Sequence, residues 1–332
     1  MELVELCETG FDLAKDPVFV TVLGLKAFCS LAGLIAVLLI SFYEHLTKSF
    51  HRNARMLIYL HFAMVGISSL GSLLSDGFDF VRFTLMKGIN SGQDCPVPPF
   101  AARVGTPFKL IKIVGTSGIV GTVFAWSLER LCATICAKSY ERKGYRLGVG
   151  LSAVAITLAI MDLTAHLIKV DFSMNLAMVS VTKPAIDISM KFYYFLAVLE
   201  TFGVVLLGCI WLINVRYNNL KARVFSSLAY KSQIQENIEA VSFMFPVAFL
   251  HCIFGLTAAL IVPTITLNVS HYLFQAKSIA EFDVIPLYYI FLPMALIWRN
   301  CVKRKNARRV LHMRSNRERG NDHFNMLQKL FN

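Results

Sequence analysis

The sequence predicts an all-α bundle of seven membrane-spanning helices, with the amino terminus outside and the carboxyl terminus inside. Three observations carry this. First, 56% of the 332 residues are hydrophobic and only 16% are charged, against roughly 25% charged residues in soluble domains. A water-soluble surface cannot be built from that composition. Second, seven stretches approach the roughly 20 apolar helical residues needed to cross a bilayer core about 30 Å thick. Third, Lys and Arg gather in alternate connections between those stretches, as the positive-inside bias requires.

The elements follow in chain order. Residues 1–17 form an extracellular amino terminus. They hold Glu2, Glu5, Glu8, Asp12 and Asp16 against a single Lys15, whereas a secretory signal begins basic. The first apolar run is therefore read as a retained anchor. The spans lie near 18–43, 55–75, 104–128, 147–168, 192–215, 239–262 and 281–298. The second and sixth are the clearest, since Met56–Ser75 and Ala240–Val262 contain no charged residue. Lys26 interrupts the first, and Lys109 and Lys112 the third; the uncharged part of the seventh, Val284–Trp298, has only 15 residues. Residues 299–332 form a basic cytoplasmic tail. No Pro/Gly/Ser-rich linker divides the chain, so 18–298 is read as one transmembrane domain.

The basic residues test the count of seven. The four proposed inner segments hold 22 Lys and Arg, the outer segments 8. Losing one span would scramble this separation. The net charge of +12 is thus a topology signal and not the stripe of a nucleic-acid surface. Two further signs agree. The sequon Asn268-Val269-Ser270 falls in the third outer connection, where glycosylation is possible. Of eight cysteines, Cys7 and Cys95 alone fall outside, where an oxidising environment permits them to pair. Cys301, just after the last span, and Cys132 and Cys136 at the inner face, are either palmitate acceptors or small apolar residues. No Cys/His grouping has metal-ligand spacing, and no cofactor is expected.

At the inner end of the third span, Glu129 and Arg130 place an acid beside a base. Such a pair is either a bistable switch, with Arg130 held by acids in one state and released toward a partner in another, or an ordinary interfacial charge pair. Leu128-Glu129-Arg130-Leu131-Cys132-Ala133-Thr134, followed by Tyr140-Glu141, resembles the Glu-Arg-x-x-Ala-Thr…Tyr-Glu pattern of nematode serpentine chemoreceptors of the Sra superfamily. Gln233-Ile234-Gln235-Glu236-Asn237-Ile238 is similar to that group's Gln-Ile-x-Glu-Asn-Ile signature, and Ile285-Pro286-Leu287-Tyr288 with Leu292-Pro293 resembles its seventh helix. The resemblance covers most of the chain from the third span onward and is greatest to the class alpha/beta members. Two departures stand out. Lys231-Ser232 replaces the Arg-Tyr that usually precedes the Gln. Compared with rhodopsin-like receptors, Arg130 is followed by Leu131 instead of Tyr, the seventh span lacks Asn-Pro-x-x-Tyr, and the loop 169–191 has no Cys, so a rhodopsin-type scheme does not transfer in detail.

The resemblance implies a G-protein-coupled receptor of a nematode sensory neuron, sited in the plasma membrane of its cilia and detecting small environmental chemicals. Glu129 and Arg130 would form the inner switch, with Gln233, Glu236 and Asn237 near the face that meets a heterotrimeric G protein. A basic inner surface including Arg142, Lys143, Arg223 and Lys231 suits an acidic partner or anionic membrane lipid; the same charges also serve topology alone.

Ionisable groups within spans are expensive and are functional candidates by default. Here they are Lys26, Lys109, Lys112, Asp162, Glu200 and Asp283. Lys109 and Lys112 share a helix face, and Lys112 lies about 10 Å into the third span. They either face Glu200 across a binding cavity or snorkel to the headgroups. His166 and His251 are read as packing residues. Aromatics such as Phe192, Tyr193 and Tyr288 either line a pocket or belong to interfacial belts. Pro246, Pro286 and Pro293 are candidate kinks.

A small-solute transporter or channel is the rival reading. It predicts paired halves with matching interruptions, whereas the prolines here cluster in one half. An enzyme is not expected, since no nucleophile elbow, metal cluster or phosphate-cradling Gly motif is visible, and the last span offers no Lys for a retinal Schiff base.

Overall fold

In the computed structural model the described residues are 3–42, 50–86, 95–137, 140, 144–179, 183–221, 228–268, 272–302 and 305. Among them, seven helices are long and apolar enough to cross a membrane: Pro17–Ser41, Arg52–Met86, Ala102–Ile135, Arg146–Leu167, Met190–Tyr217, Gln233–Ile261 and Lys277–Val302. Each overlaps one expected span. They are called the first to seventh spans below. The chain divides into two compact units, Met1–Leu292 and Pro293–Asn332. The described part of the second is helix up to residue 302, with Cys301 exposed.

Within the first unit the third span is central. It packs against the second, fourth, fifth and sixth, and 67% of its most apolar window is buried, against 22% for the fourth span. Small residues permit this. A Cβ on Gly115 would lie 2.2 Å from the Ser68 backbone nitrogen, and one on Gly71 would lie 2.2 Å from that of Lys112. Backbones of the second and third spans therefore meet directly, the close approach by which membrane helices gain packing energy in the absence of a hydrophobic drive between them.

The second span departs most from expectation, running to Met86 instead of ending near residue 75. Asp76, Asp79 and Arg82 broke the apolar run in the sequence, but all three are buried in protein contacts, so lipid never meets them. The third span likewise continues through Glu129 and Arg130 to Ile135, because both side chains turn inward. Helices entering the fifth and sixth spans start and end further out, over Lys183–Lys221 and Leu228–Asn268. Pro286 behaves otherwise than as a mid-helix kink. The seventh span is interrupted at residues 283–284 and helix resumes at 285, so Pro286 occupies a first turn, where its missing N–H costs nothing.

The end nearest the amino terminus carries a cap that hydropathy does not reveal. Leu3–Lys15 is an amphipathic helix burying Leu6, Leu13 and Ala14. Asp16 ends it and caps the first span, its Oδ1 accepting from the Val18 and Phe19 amides at 2.9 and 3.2 Å, while Pro17 fills the first helical position. Leu13, Phe19, Leu23, Phe83, Val97 and Met178 form one apolar cluster. Cys7 and Cys95 are disulfide-bonded, with Cα atoms 5.6 Å apart and a sequence separation of 88. A two-residue antiparallel ladder, Phe100–Ala101 with Asn175–Leu176, pairs Phe100 with Leu176 and is a small exception to an all-helical chain. Arg82 fastens the ladder's flanks, donating to Asp79 at 3.2 Å and to the carbonyls of Ala177 and Pro98 at 3.2 and 2.8 Å. Its guanidinium lies 4.3 Å from the Phe100 ring centroid.

Candidate functional site

Two polar regions occupy the first unit, one in the half adjoining the amino-terminal cap and one at the opposite end of the third span. The first is a cleft enclosing ≈ 850 Å³ between atoms, its mouth included. The third span contributes Lys109, Lys112, Ser117 and Val120; the fourth, Asp162 and His166; the fifth, Tyr193, Leu196 and Glu200; the sixth, His251 and Ala258; the seventh, Asp283. Helical periodicity explains the selection. Lys109, Lys112, Ile113, Thr116 and Val120 recur at three- and four-residue intervals on one face of the third span.

Four of the charges nearby form a balanced group. Lys26 Nζ donates to Asp76 Oδ1 at 3.1 Å and to the Ala280 carbonyl at 3.0 Å, and lies 3.4 Å from Asp283. Lys112 is in hydrogen-bond contact with Asp283. Asp283 can reach both lysines because it occupies the non-helical break in the seventh span. Two ammonium and two carboxylate groups cancel, as buried charges must.

Of the expected pocket residues, Lys109, Lys112, Asp162 and Glu200 all line the cleft, and Lys112 is only 6% exposed. Lys112 thus points inward and does not snorkel. The expected confrontation of the lysines with Glu200 does not form. Glu200 is instead hydrogen-bonded to His251, which the packing of the fifth against the sixth span places closer, and Asp283 takes Lys112. Tyr288 is also corrected. It lies behind the wall, fully buried, its hydroxyl 2.9 Å from His61 Nε2 and its ring 4.7 Å from that of His251. His61 in turn meets Thr122 Oγ1 at 2.8 Å and the Trp126 ring at 4.4 Å, so a polar and aromatic layer continues from the cleft toward the other region.

There Glu129 and Arg130 are completely buried. Arg130 donates through Nε and Nη2 to the two Glu129 carboxylate oxygens, and through Nη1 to Asn237 Oδ1 at 3.0 Å. The Asn237 amide donates to Thr134 Oγ1 at 2.6 Å, and Asn214 of the fifth span donates to the same hydroxyl at 3.0 Å. The Tyr140 hydroxyl donates to Glu129, and Asn53 of the second span reaches that hydroxyl at 3.3 Å. Burial, and then the Glu129 carboxylate beside it, push the Tyr140 phenol well above its usual pKa, so it remains a donor. One arginine thereby ties the third span to the sixth, and its carboxylate partner ties both to the segment after the third span and to the second.

The other inner residues take different places. Glu236 accepts from the His51 amide at 2.8 Å, joining the sixth span to the start of the second. Gln233 is 1% exposed, and its amide atoms have no hydrogen-bond partner among the described residues. Arg142, Lys143, Arg223, the Lys231 side chain, and the Asn268 side chain with the rest of its sequon lie outside the described residues. Residues that sequence reasoning missed are Asp76, one position beyond the uncharged run ending at Ser75, and Asn53 and Asn214, single polar residues within or beside apolar helices. Tyr140 and Thr134 were visible only as members of a motif.

Among the described residues no three His, Cys, Asp or Glu side chains gather as metal ligands do. The arrangement instead suits holding a small molecule in the cleft and changing partners among buried charges.

Similarity to known proteins agrees. The sequence pattern of the family described as serpentine type 7TM GPCR receptor class ab chemoreceptor matches residues 4–332. Serpentine receptor class beta-15 of Caenorhabditis elegans is 26% identical over 268 residues, covering 76% of this chain and 72% of that relative. The chain is a multi-pass membrane protein and belongs to the serpentine seven-transmembrane G-protein-coupled receptors of class ab, a family of chemoreceptors.

Proposed function

We propose that this receptor binds a small environmental chemical in the cleft and signals to a heterotrimeric G protein at the end bearing Glu129 and Arg130. Its amino-terminal cap faces outward, and the membrane is the plasma membrane of sensory-neuron cilia. The observation that carries the reading is that one helix, Ala102–Ile135, supplies both the cleft wall from Lys109 to Val120 and the buried pair Glu129–Arg130. About 15 Å of helix separates Val120 from Arg130. A ligand that binds better to a shifted third span must therefore also bias the partners of Arg130. The division of basic residues, 22 against 8, supports the orientation, and the disulfide between Cys7 and Cys95 is consistent with an oxidising exterior for the cap.

The test is expression with a promiscuous G-protein reporter and a panel of volatile and water-soluble chemicals. A response that Arg130→Ala abolishes, with surface expression retained, is the expected result. An ion current that needs no G protein would overturn the receptor reading. A carboxyl-terminal epitope labelled on intact cells would overturn the orientation.

A further inference from the structure

We infer that the cleft takes a small amphiphile bearing one carboxylate, with Lys109 as its counter-ion; this names the ligand class of the site proposed above and rests on that reading.

Each acidic group on the cleft wall is already matched. Asp283 is held by Lys112 and lies 3.4 Å from Lys26. Asp162 accepts from the Ser117 hydroxyl and has His166 Nδ1 3.0 Å away. Glu200 is bonded to His251. Lys109 differs. It lines the cleft and is half-buried; among the described residues the lysine ion pairs are those of Lys26, Lys112 and Lys277, and Asp283 and Asp76 act on Lys109 only from beyond ion-pair distance. Its neighbour on the same helix face is Lys112, a like charge one turn away, which destabilises both.

A half-buried cation with no carboxylate in ion-pair contact and another cation beside it is expensive. The cost falls if an anion completes the pair, and a carboxylate does so through charge-assisted hydrogen bonds. The rest of the wall specifies the rest of the ligand. Ile113, Val120, Leu196 and Ala258 offer apolar surface, which gains from a hydrocarbon body and gives nothing to a small inorganic ion. A cationic ligand would meet Lys109 as a like charge. A neutral one would leave it unpaired.

The full chain in phosphatidylcholine nanodiscs, titrated with hexanoate, hexan-1-ol and hexylamine, separates these cases, because the three share a carbon chain and differ in the head. Binding is read from ligand-induced shifts in thermal unfolding. Hexanoate is expected to bind about tenfold or more tightly than hexan-1-ol, with hexylamine weakest. Lys109→Gln should remove the preference for hexanoate over hexan-1-ol, while Lys109→Arg keeps it. Since Lys109 has no ion pair to lose, the ligand-free unfolding midpoint of Lys109→Gln should stay level or rise, which confirms that the variant folds. Equal binding of hexanoate and hexan-1-ol, no binding of hexanoate, or a preference that survives Lys109→Gln would each overturn the assignment. The measurement needs no G protein, so failures are distinguishable. Hexanoate binding with a silent reporter would sink the receptor reading alone, and a reporter answering only uncharged or cationic chemicals would sink this inference alone.

Discussion

The two ends of the helix bundle are held by different kinds of bond. At the amino-terminal cap side-chain pairs are backed by a covalent bond and by bonds to backbone: the disulfide between Cys7 and Cys95, the Arg82 guanidinium on the Ala177 and Pro98 carbonyls, and Asp79 accepting from the Val179 amide at 2.7 Å. At the opposite end the Arg130 guanidinium and the Glu129 carboxylate bond only to other side chains. A rotamer change can exchange those partners, whereas freeing the cap requires breaking a covalent bond or moving main chain. On the function proposed above, the cap serves as a fixed frame and the Glu129–Arg130 group as a latch.

The comparison can be broken from either side. Replacing both cap cysteines, Cys7→Ser with Cys95→Ser, opens a loop closed across a sequence separation of 88, and loop entropy puts the loss at about 4–5 kcal/mol. Thermal unfolding should register that loss while ligand-free signalling stays unchanged; raised ligand-free signalling would mean the cap is no mere frame. Glu129→Gln acts on the other end. It leaves Arg130 buried without its charge partner, a cost of about 3–5 kcal/mol, and the latched state bears that cost. Ligand-free reporter output should rise about tenfold or more, and an output at or below that of the parent chain would remove the latch. The smallest effect sharpens the frame. Asp16→Ala removes the amino-terminal cap of the first span at about 1 kcal/mol, with signalling unaltered. The hydrogen bond from Lys277, and those from the Phe19 and Val18 amides, lower the Asp16 pKa below its ordinary 3.8. Its stabilisation is therefore fully present above pH 3.8 and lost as pH falls through the lower folded value. The stability gap between parent and Asp16→Ala should be constant near neutrality and close only in strong acid.

Much of the molecule was legible in the chain. Lys26, Lys109 and Lys112 made two spans doubtful by charge, yet the lopsided basic residues favoured all seven, and among the described residues seven helices are long and apolar enough to cross a membrane. Span ends were less legible. The second runs eleven residues further, to Met86 instead of 75, because a hydropathy window treats Asp76, Asp79 and Arg82 as if lipid surrounded them. The charged residues that line the cleft were legible, but not their pairing. Glu200 was expected opposite the lysines and lies against His251, and Tyr288 was expected on the wall and lies behind it.

What the sequence determined by itself is the number of crossings and the identity of the costly residues, since transfer of apolar and charged groups into a bilayer is a sum over local composition. Which charges neutralise one another was decided only by the tertiary structure. An ion pair depends on ångström distances between helices, and those follow from the close backbone contacts at Gly71 and Gly115 and from the break that frees Asp283 to reach Lys112 and Lys26. Lys109 and Lys112 are one turn apart in the same helix and chemically identical. Packing gave Lys112 a partner and left Lys109 facing the cleft.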